Sequence, residues 1–235
     1  MDPGDQRPDP RHPDQPLDLG QAQLAVRELL DAGVEAIAVC LVNSYLNPVH
    51  ERALGELIRR IAPGMVVCLS CDIHPEIREY ERTSTTAVNA CLIPVFNRYM
   101  DRLEASLARH SRRFLIMQSN GGIMSAQAAR RKPAYIIESG PAAGVLAAAR
   151  VAQESGLDQA LSFDMGGTTA KICLIRNQTP KTARVFEVAR SYRFKKGSGF
   201  PVSVPSVDLV DVDDVAGDNA AKYSEEASPV TLRAR

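Results

Sequence analysis

The run Ser162-Phe163-Asp164-Met165-Gly166-Gly167-Thr168-Thr169-Ala170-Lys171, continued by Ile172-Cys173-Leu174-Ile175, joins two apolar strand patterns through an aspartate, a glycine pair and two hydroxyls. A hairpin of this kind gathers backbone N–H groups and hydroxyls at one point. Its glycines let a phosphate approach the main chain. Asp164, at the end of a strand, can hold a magnesium ion through water. Gly-Gly is also a favoured pair in ordinary hairpin turns, but a bare turn requires neither the aspartate nor the threonines. The first strand reads as buried, and Lys171 can pair a phosphate or face solvent.

Two further loops could serve the same chemistry. Ser139-Gly140-Pro141-Ala142-Ala143-Gly144 lies between a strand and a helix, and helix N-termini attract anions. Glu138, just ahead of it, could face a metal or a water. The same residues also read as a strand-to-helix turn in which Ser139 caps the helix and Gly144 permits close packing. Ser119-Asn120-Gly121-Gly122 follows a strand and reads either as a binding loop or as a glycine turn that reverses the chain.

Other polar groups point elsewhere. Cys68-x-x-Cys71, with His74 nearby, lacks the second ligand pair that zinc needs, and Cys68 falls in a strand pattern. Glu76 to Arg82 reads as a solvated, ion-paired stretch, with Ser84-Thr85-Thr86 capping the helix beyond it. Asp208, Asp211, Asp213, Asp214 and Asp218 lack the glycine and terminal glutamate of a calcium loop and read as solvated.

The elements that must position these loops alternate. A helix is expected over Leu17 to Ala32 with Gly33 past its end, then a buried strand over Val34 to Val42. Asn47 and Pro48 open a second helix as N-cap and first residue, and Met65 to Leu69 is a second strand. A long helix from Ser84 to His110 is expected to break or re-aim at Pro94. Then come a strand at Phe114 to Met117, a short helix at Ser125 to Arg131, a strand at Ala134 to Glu138 and an Ala-rich helix at Ala142 to Gln153, small enough on several sides for close packing. The hairpin follows, with Thr182 to Arg190 as a third strand. This alternation predicts an α/β fold with a mixed sheet and flanking helices.

Composition narrows the partners. The chain of 235 residues is 45% hydrophobic, enough for a sizeable core. Its 28 basic and 28 acidic residues balance, which argues against a generic nucleic-acid or anionic-membrane binder. Aromatics make up 5% and Trp is absent, so there is no stacking platform for bases. The polar N-terminus is not a secretory signal, and no run approaches the roughly 18 apolar residues of a membrane helix. Five scattered cysteines suit reduced thiols in a cytoplasmic protein.

Four blocks in order carry a family resemblance: Pro75 to Thr86, Gln118 to Gly122, Glu138 to Val145 and Phe163 to Thr169. With them, residues 74–200 resemble the A-type (ATP-binding) subunit of the hydantoinase/oxoprolinase family, and residues 17–73 resemble the stretch upstream. The resemblance implies a partial RNase H-like architecture of the actin/sugar kinase/heat-shock ATPase type. It implies part of a first domain over 17–82 and an incomplete hydantoinase A domain over 83–212; by composition residues 1–16 read as a linker or disordered arm, and by their lack of periodicity residues 213–235 read as an irregular tail. ATP and Mg2+ are the implied cofactors. Gly166, Gly167, Thr168, Thr169, Lys171, Ser139, Gly140, Asn120, Gly121 and Gly122 would lie around the nucleotide, with Asp164 and Glu138 at the metal. ATP would phosphorylate the carbonyl of a cyclic amide of the hydantoin, N-methylhydantoin or 5-oxoproline type, or serve a ketone carboxylase. A B-type subunit is the expected partner, and a non-catalytic chain that docks on that subunit is the alternative.

The chain departs from the family pattern at both ends. No Asp-Gly-Gly-Thr hairpin precedes Leu17. Where the family has Gly-Ala-Gly-Gly-Gly-Ser, this chain has Val210-Asp211-Val212-Asp213-Asp214-Val215-Ala216-Gly217-Asp218. A truncated or frameshifted product, incomplete as an enzyme by itself, is the expectation.

Overall fold

Asp18 accepts the Gln21 N–H at 2.9 Å and so starts the first helix, α1 (Leu19–Asp31). The computed structural model describes residues 17–111, 113–166, 170–192 and 197–211. The expected arm (1–16) and tail (213–235) therefore lie outside the described residues. The chain divides into two units, one ending at Val95 and the other beginning at Phe96. The division falls inside the long helix α4 (Glu79–Leu107).

In the first unit, Gly33 takes a φ of +73° just past α1, where a left-handed residue closes the helix. Strand β1 (Ala36–Val39), helix α2 (Val49–Ile61) and strand β2 (Val66–Leu69) form a strand–helix–strand crossover with the strands parallel, Ala36 opposite Val66 and Val39 opposite Leu69. Strand alternation splits the apolar residues between two faces. Ile37, Val39 and Leu69 pack with Val26 and Ile58, while Cys68 packs with Ile73, Ala90 and Ile93. A short helix, α3 (Ser70–Ile73), follows β2 directly.

Two buried polar side chains set the ends of these elements, and both alter the expected boundaries. Glu51 is fully buried. Its carboxylate accepts the Leu41 N–H at 2.8 Å, the Ser70 hydroxyl at 2.7 Å and the Cys71 N–H at 2.9 Å. These bonds draw the chain out of the sheet, so the strand ends at Val39, not Val42, and Val42 is exposed. Burial opposes the charge on Glu51, yet the donors from Ser70, Cys71 and Leu41 prevail and hold its carboxyl below the ordinary value of 4.5.

Arg82, expected to be solvated, is also fully buried. It donates to the Leu41 carbonyl at 2.7 Å, the Glu76 carbonyl at 3.2 Å and the Cys40 sulfur at 3.4 Å, and lies over the Tyr45 ring. Helix α4 accordingly begins at Glu79, and Ser84 to Thr86 are interior, not capping. There Thr85 and Thr86 donate to the carbonyls of Glu81 and Arg82. The helix continues through Pro94, which removes one N–H but does not end it. At the start of α2, Val49 is the first helical residue, while Asn47 still accepts the Val49 N–H at 3.2 Å. Burial, and then Glu51, push the Cys71 thiol up to about 12, so Cys68-x-x-Cys71 supplies no ready thiolate.

In the second unit a hairpin of β3 (Leu115–Met117) and β4 (Ile123–Ser125) leads into α5 (Ala126–Arg131), capped by Ser125 at 3.2 Å. The expected strand at Ala134 to Glu138 is instead a 3-10 turn over Pro133–Ile136. Pro133 sits at its start, the Ser119 N–H donates to the Tyr135 carbonyl at 2.8 Å, and the Ser119 hydroxyl, 2.6 Å from the Ile137 carbonyl and 2.8 Å from that of Tyr135, donates its one proton there, so neither carbonyl joins a ladder. Helix α6 (Ser139–Glu154) begins earlier than expected because Glu138 adopts a φ of +65° and turns the chain there. Ser139 is therefore its first helical residue and not its cap.

Antiparallel strands β5 (Gln159–Met165) and β6 (Ala170–Arg176) follow. The expected third strand over Thr182 to Arg190 is broken. Strand β7 (Thr179–Pro180) pairs with β6, β8 (Thr182–Ala183) with β11 (Ser206–Val207), and β9 (Phe186–Val188) with β10 (Phe200–Val202). Strand β12 (Val210–Asp211) adds to β6, giving the order β12-β6-β5. The core joins Ala142, Val145 and Ala149 of α6 to Cys173, Ile175 and Val207. Strand β5 is an edge, and contrary to the expected burial Leu161, Phe163 and Met165 are exposed, because α6 covers only one face. The fold is thus mixed α/β, with small sheets and flanking helices.

Replacing Glu51 with Ala strands the Leu41 and Cys71 N–H groups and should lower stability by about 2–4 kcal/mol in urea unfolding. Because the folded Glu51 pKa is depressed, its contribution is present above pH 4.5 and fades as pH falls through the lower folded value. Glu51→Gln should flatten that part of the stability profile. Gly121 has a φ of +83°, and a Cβ there would lie 2.4 Å from Leu146 Cδ1 of α6. Gly121→Ala should cost about 1–3 kcal/mol, with the left-handed backbone as the main cause since Leu146 can rotate away.

Candidate functional site

The phosphate-loop residues divide across the hairpin. Asp164 is the last residue but one of β5, with its side chain exposed, and Gly166 follows Met165. Gly167, Thr168 and Thr169 lie outside the described residues. Among the described residues the Asp164 side chain makes no hydrogen bond or ion pair. Lys171 lies directly opposite it across the β5–β6 pair. Directly opposite residues project from the same face of an antiparallel sheet, so Asp164, Lys171 and, on the other side, Asp211 form one cross-strand row.

The Lys171 ammonium is the hub of the described site. Its Nζ lies 2.9 Å from both carboxylate oxygens of Glu138 and 2.8 Å from Asp211 Oδ1. The Lys171 side chain is 15% exposed. Burial works against its charge, yet the hydrogen bonds to Asp211 and Glu138 prevail and hold the proton above the ordinary lysine value. Glu138 reaches this point because of its left-handed turn at the start of α6.

Ser139 and Gly140 form the first turn of α6, where helix geometry leaves backbone N–H groups without intrahelical partners. Pro141 contributes none, so Ser139 and Gly140 are the donors available there for an anion. Gly140 and Gly144 lie one turn apart, and a Cβ at either would meet open space. The close packing expected of Gly144 is therefore not against described protein atoms.

Asn120, Gly121 and Gly122 form the β3–β4 turn. The Gln118 N–H donates to the Gly122 carbonyl at 2.8 Å, and the Gly122 N–H donates to Asn120 Oδ1 at 2.8 Å. The loop does reverse the chain, and through Gly121 it rests against Leu146 of α6. Ser119 ties the same loop to β11 by accepting the Val207 N–H at 2.8 Å.

The structure thus joins Glu138 and Lys171, places Asp164 beside Lys171 in the row, and adds Asp211, which sequence reasoning had left as a solvated tail residue. No local pattern announces Asp211, because its role depends on the register between β12 and β6. For a magnesium ion the donor set fits in part. The Asp164 carboxylate is exposed and uncommitted among the described residues, whereas both oxygens of Glu138 are already against an ammonium.

Residues 82–233 match the Hydantoinase/oxoprolinase family, and residues 7–62 match the Hydantoinase/oxoprolinase N-terminal region. An uncharacterized protein of Methanocaldococcus jannaschii is 37% identical over 92% of this chain and 32% of its own length. The caprolactamase subunit alpha of Pseudomonas jessenii is 39% identical over 68% of this chain and 23% of its own length. Among solved structures, the ATP-dependent caprolactamase of the same organism has a TM-score of 0.69 at 32% identity, covering 84% of this chain and 28% of that one. Nucleotide-free acetone carboxylase has a TM-score of 0.72 at 25% identity, covering 83% and 27%. The chain spans about a third or less of each of these relatives. By these matches and by its fold, the chain belongs to the hydantoinase/oxoprolinase family.

Proposed function

We propose that this chain is the nucleotide-binding portion of an ATP-dependent subunit that opens cyclic amides of the hydantoin, N-methylhydantoin or 5-oxoproline type. The observation that carries the reading is Asp164. It is an exposed carboxylate with no partner among the described residues, set one residue before β5 ends and just ahead of Gly166-Gly167-Thr168-Thr169 in the sequence. The names of the relatives support it: caprolactamase and 5-oxoprolinase act on cyclic amides, and the solved caprolactamase is ATP-dependent.

ATP, when bound, supplies the phosphoryl group that activates the ring carbonyl. The protein's share of that chemistry is positioning and neutralisation of charge on phosphate oxygens. Gly166, Gly167, Thr168 and Thr169 would hold phosphates and Asp164 would hold Mg2+ through water. Ser139 and Gly140 would offer N–H groups at the start of α6, while the Asn120–Gly122 turn would border the nucleotide. An RNase H-like ancestry, a cytoplasmic location and a B-type partner subunit belong to the same reading. Partner subunits accord with relatives named as alpha, beta and gamma subunits. No described helix is long and apolar enough to cross a membrane.

The carboxylase branch is the second reading, favoured by the likeness to acetone carboxylase and by 31% identity to the acetophenone carboxylase gamma subunit of Aromatoleum aromaticum. Calorimetric titration of Mg-ATP into the chain tests the shared core of both. Asp164→Asn should weaken binding about tenfold or more, roughly 1.4 kcal/mol. Equal affinities in the two proteins would sink the reading. Phosphate release by the chain with a B-type subunit then separates the branches: cyclic amides should drive it under the first reading, ketone plus bicarbonate under the second.

A further inference from the structure

We infer that Lys171 is an internal cation: its ammonium fills the position between Glu138 and Asp211 that a divalent ion would otherwise take, and so removes Glu138 from the metal's ligands. The inference goes beyond the nucleotide reading and stands on the arrangement of these side chains alone.

Glu138 presents both carboxylate oxygens to Nζ at 2.9 Å, a two-oxygen embrace of the kind carboxylates offer to calcium. Only Oε1 receives a directed hydrogen bond, and Oε2, buried and without a hydrogen-bond partner, is held by charge. Asp211 closes on the same nitrogen from β12 at 2.8 Å. Two carboxylates brought this near one point repel each other unless a cation or a proton lies between them. The backbone is shaped to the same end, since Glu138 reaches Nζ from a left-handed conformation, φ +65°, that disfavours a non-glycine residue.

Two consequences follow for the site. A metal ion approaching the hairpin meets Asp164 as its open carboxylate, and Mg2+ needs only one or two carboxylates when phosphates complete its shell. An ammonium has three N–H donors, and two are spent on Glu138 and Asp211. Among the described residues the third has no partner and can serve an oxygen of an anion in the site. Lys171 is thus a positioning residue that fixes the start of α6 to the hairpin.

The test is a Mn2+ titration of the full chain without nucleotide, followed by electron paramagnetic resonance of the free ion. At 0.15 M salt wild type and Glu138→Gln should bind Mn2+ within about threefold of each other, the margin that one nearby screened charge leaves. Lys171→Met should gain affinity by about tenfold or more, because Glu138 and Asp211 are then free to ligate the ion. The Lys171→Met/Glu138→Gln double variant should lose that gain. A loss of Mn2+ affinity of about tenfold or more in Glu138→Gln in the wild-type background would overturn the inference, since Glu138 would then be a metal ligand with Lys171 in place. So would a Lys171→Met chain with native circular dichroism and no gain. If Lys171→Met does not fold, Lys171→Gln takes its place, and the comparison of wild type with Glu138→Gln decides without any lysine variant. No nucleotide is present, so these titrations stand or fall independently of the ATP reading.

Discussion

The packing of the small-residue face of α6 on β6 is the constraint from which the second unit is built. Ala142, Val145 and Ala149 meet Cys173 and Ile175 of β6 and Val207 of β11. Residues this small let helix and sheet approach closely, and that distance fixes the height of everything mounted on α6. It sets the first turn of the helix, and Glu138 ahead of it, beside the hairpin. It also gives Gly121 its neighbour, because Leu146 lies where a side chain at position 121 would go. The loops that could surround an anion are therefore consequences of one apolar contact, held in place by it and not by their own hydrogen bonds alone.

Charge is handled differently in the two units. In the first, Glu51 and Arg82 are sealed away from water and satisfied by main-chain and hydroxyl groups of their own unit. Such groups specify where a strand ends and a helix begins, since a buried ion without partners is far costlier than one fully bonded. In the second unit the charges are only partly withdrawn from solvent and are paired with one another. Lys171 pairs with two carboxylates at once, while the Asp164 side chain has no partner among the described residues. An uncommitted carboxylate next to a committed ammonium is a polarity that an anion–metal pair can use.

Much of the architecture was legible in the sequence because it rests on periodicity and local punctuation. The strand–helix–strand crossover, the Gly33 helix end, the β5–β6 hairpin and the close-packed Ala-rich helix follow from apolar spacing and turn residues within short windows. The errors share one cause. Val42 looked like strand, Arg82 like surface, Ala134 to Glu138 like strand, and Phe163 like core. In each case a distant partner, or the lack of one, decided. Glu51 took the N–H beyond β1, carbonyls of Leu41 and Glu76 drew in Arg82, Ser119 took the carbonyls after Pro133, and no described element covers the outer face of β5.

By itself the sequence determined the chemical vocabulary of this protein. Aspartate, paired glycines and threonines in a hairpin, in order with three other blocks, carry a family resemblance that the family matches bear out. Those are local properties, encoded by neighbours along the chain. Only the tertiary structure decided that Glu138 faces an ammonium, that Asp211 joins it from a strand far along the chain, and that Asp164 stays open. Which charges meet depends on strand register and on the distance between helix and sheet. Both are set by packing between segments remote in sequence, where a shift of one residue would turn every one of these side chains to the opposite face.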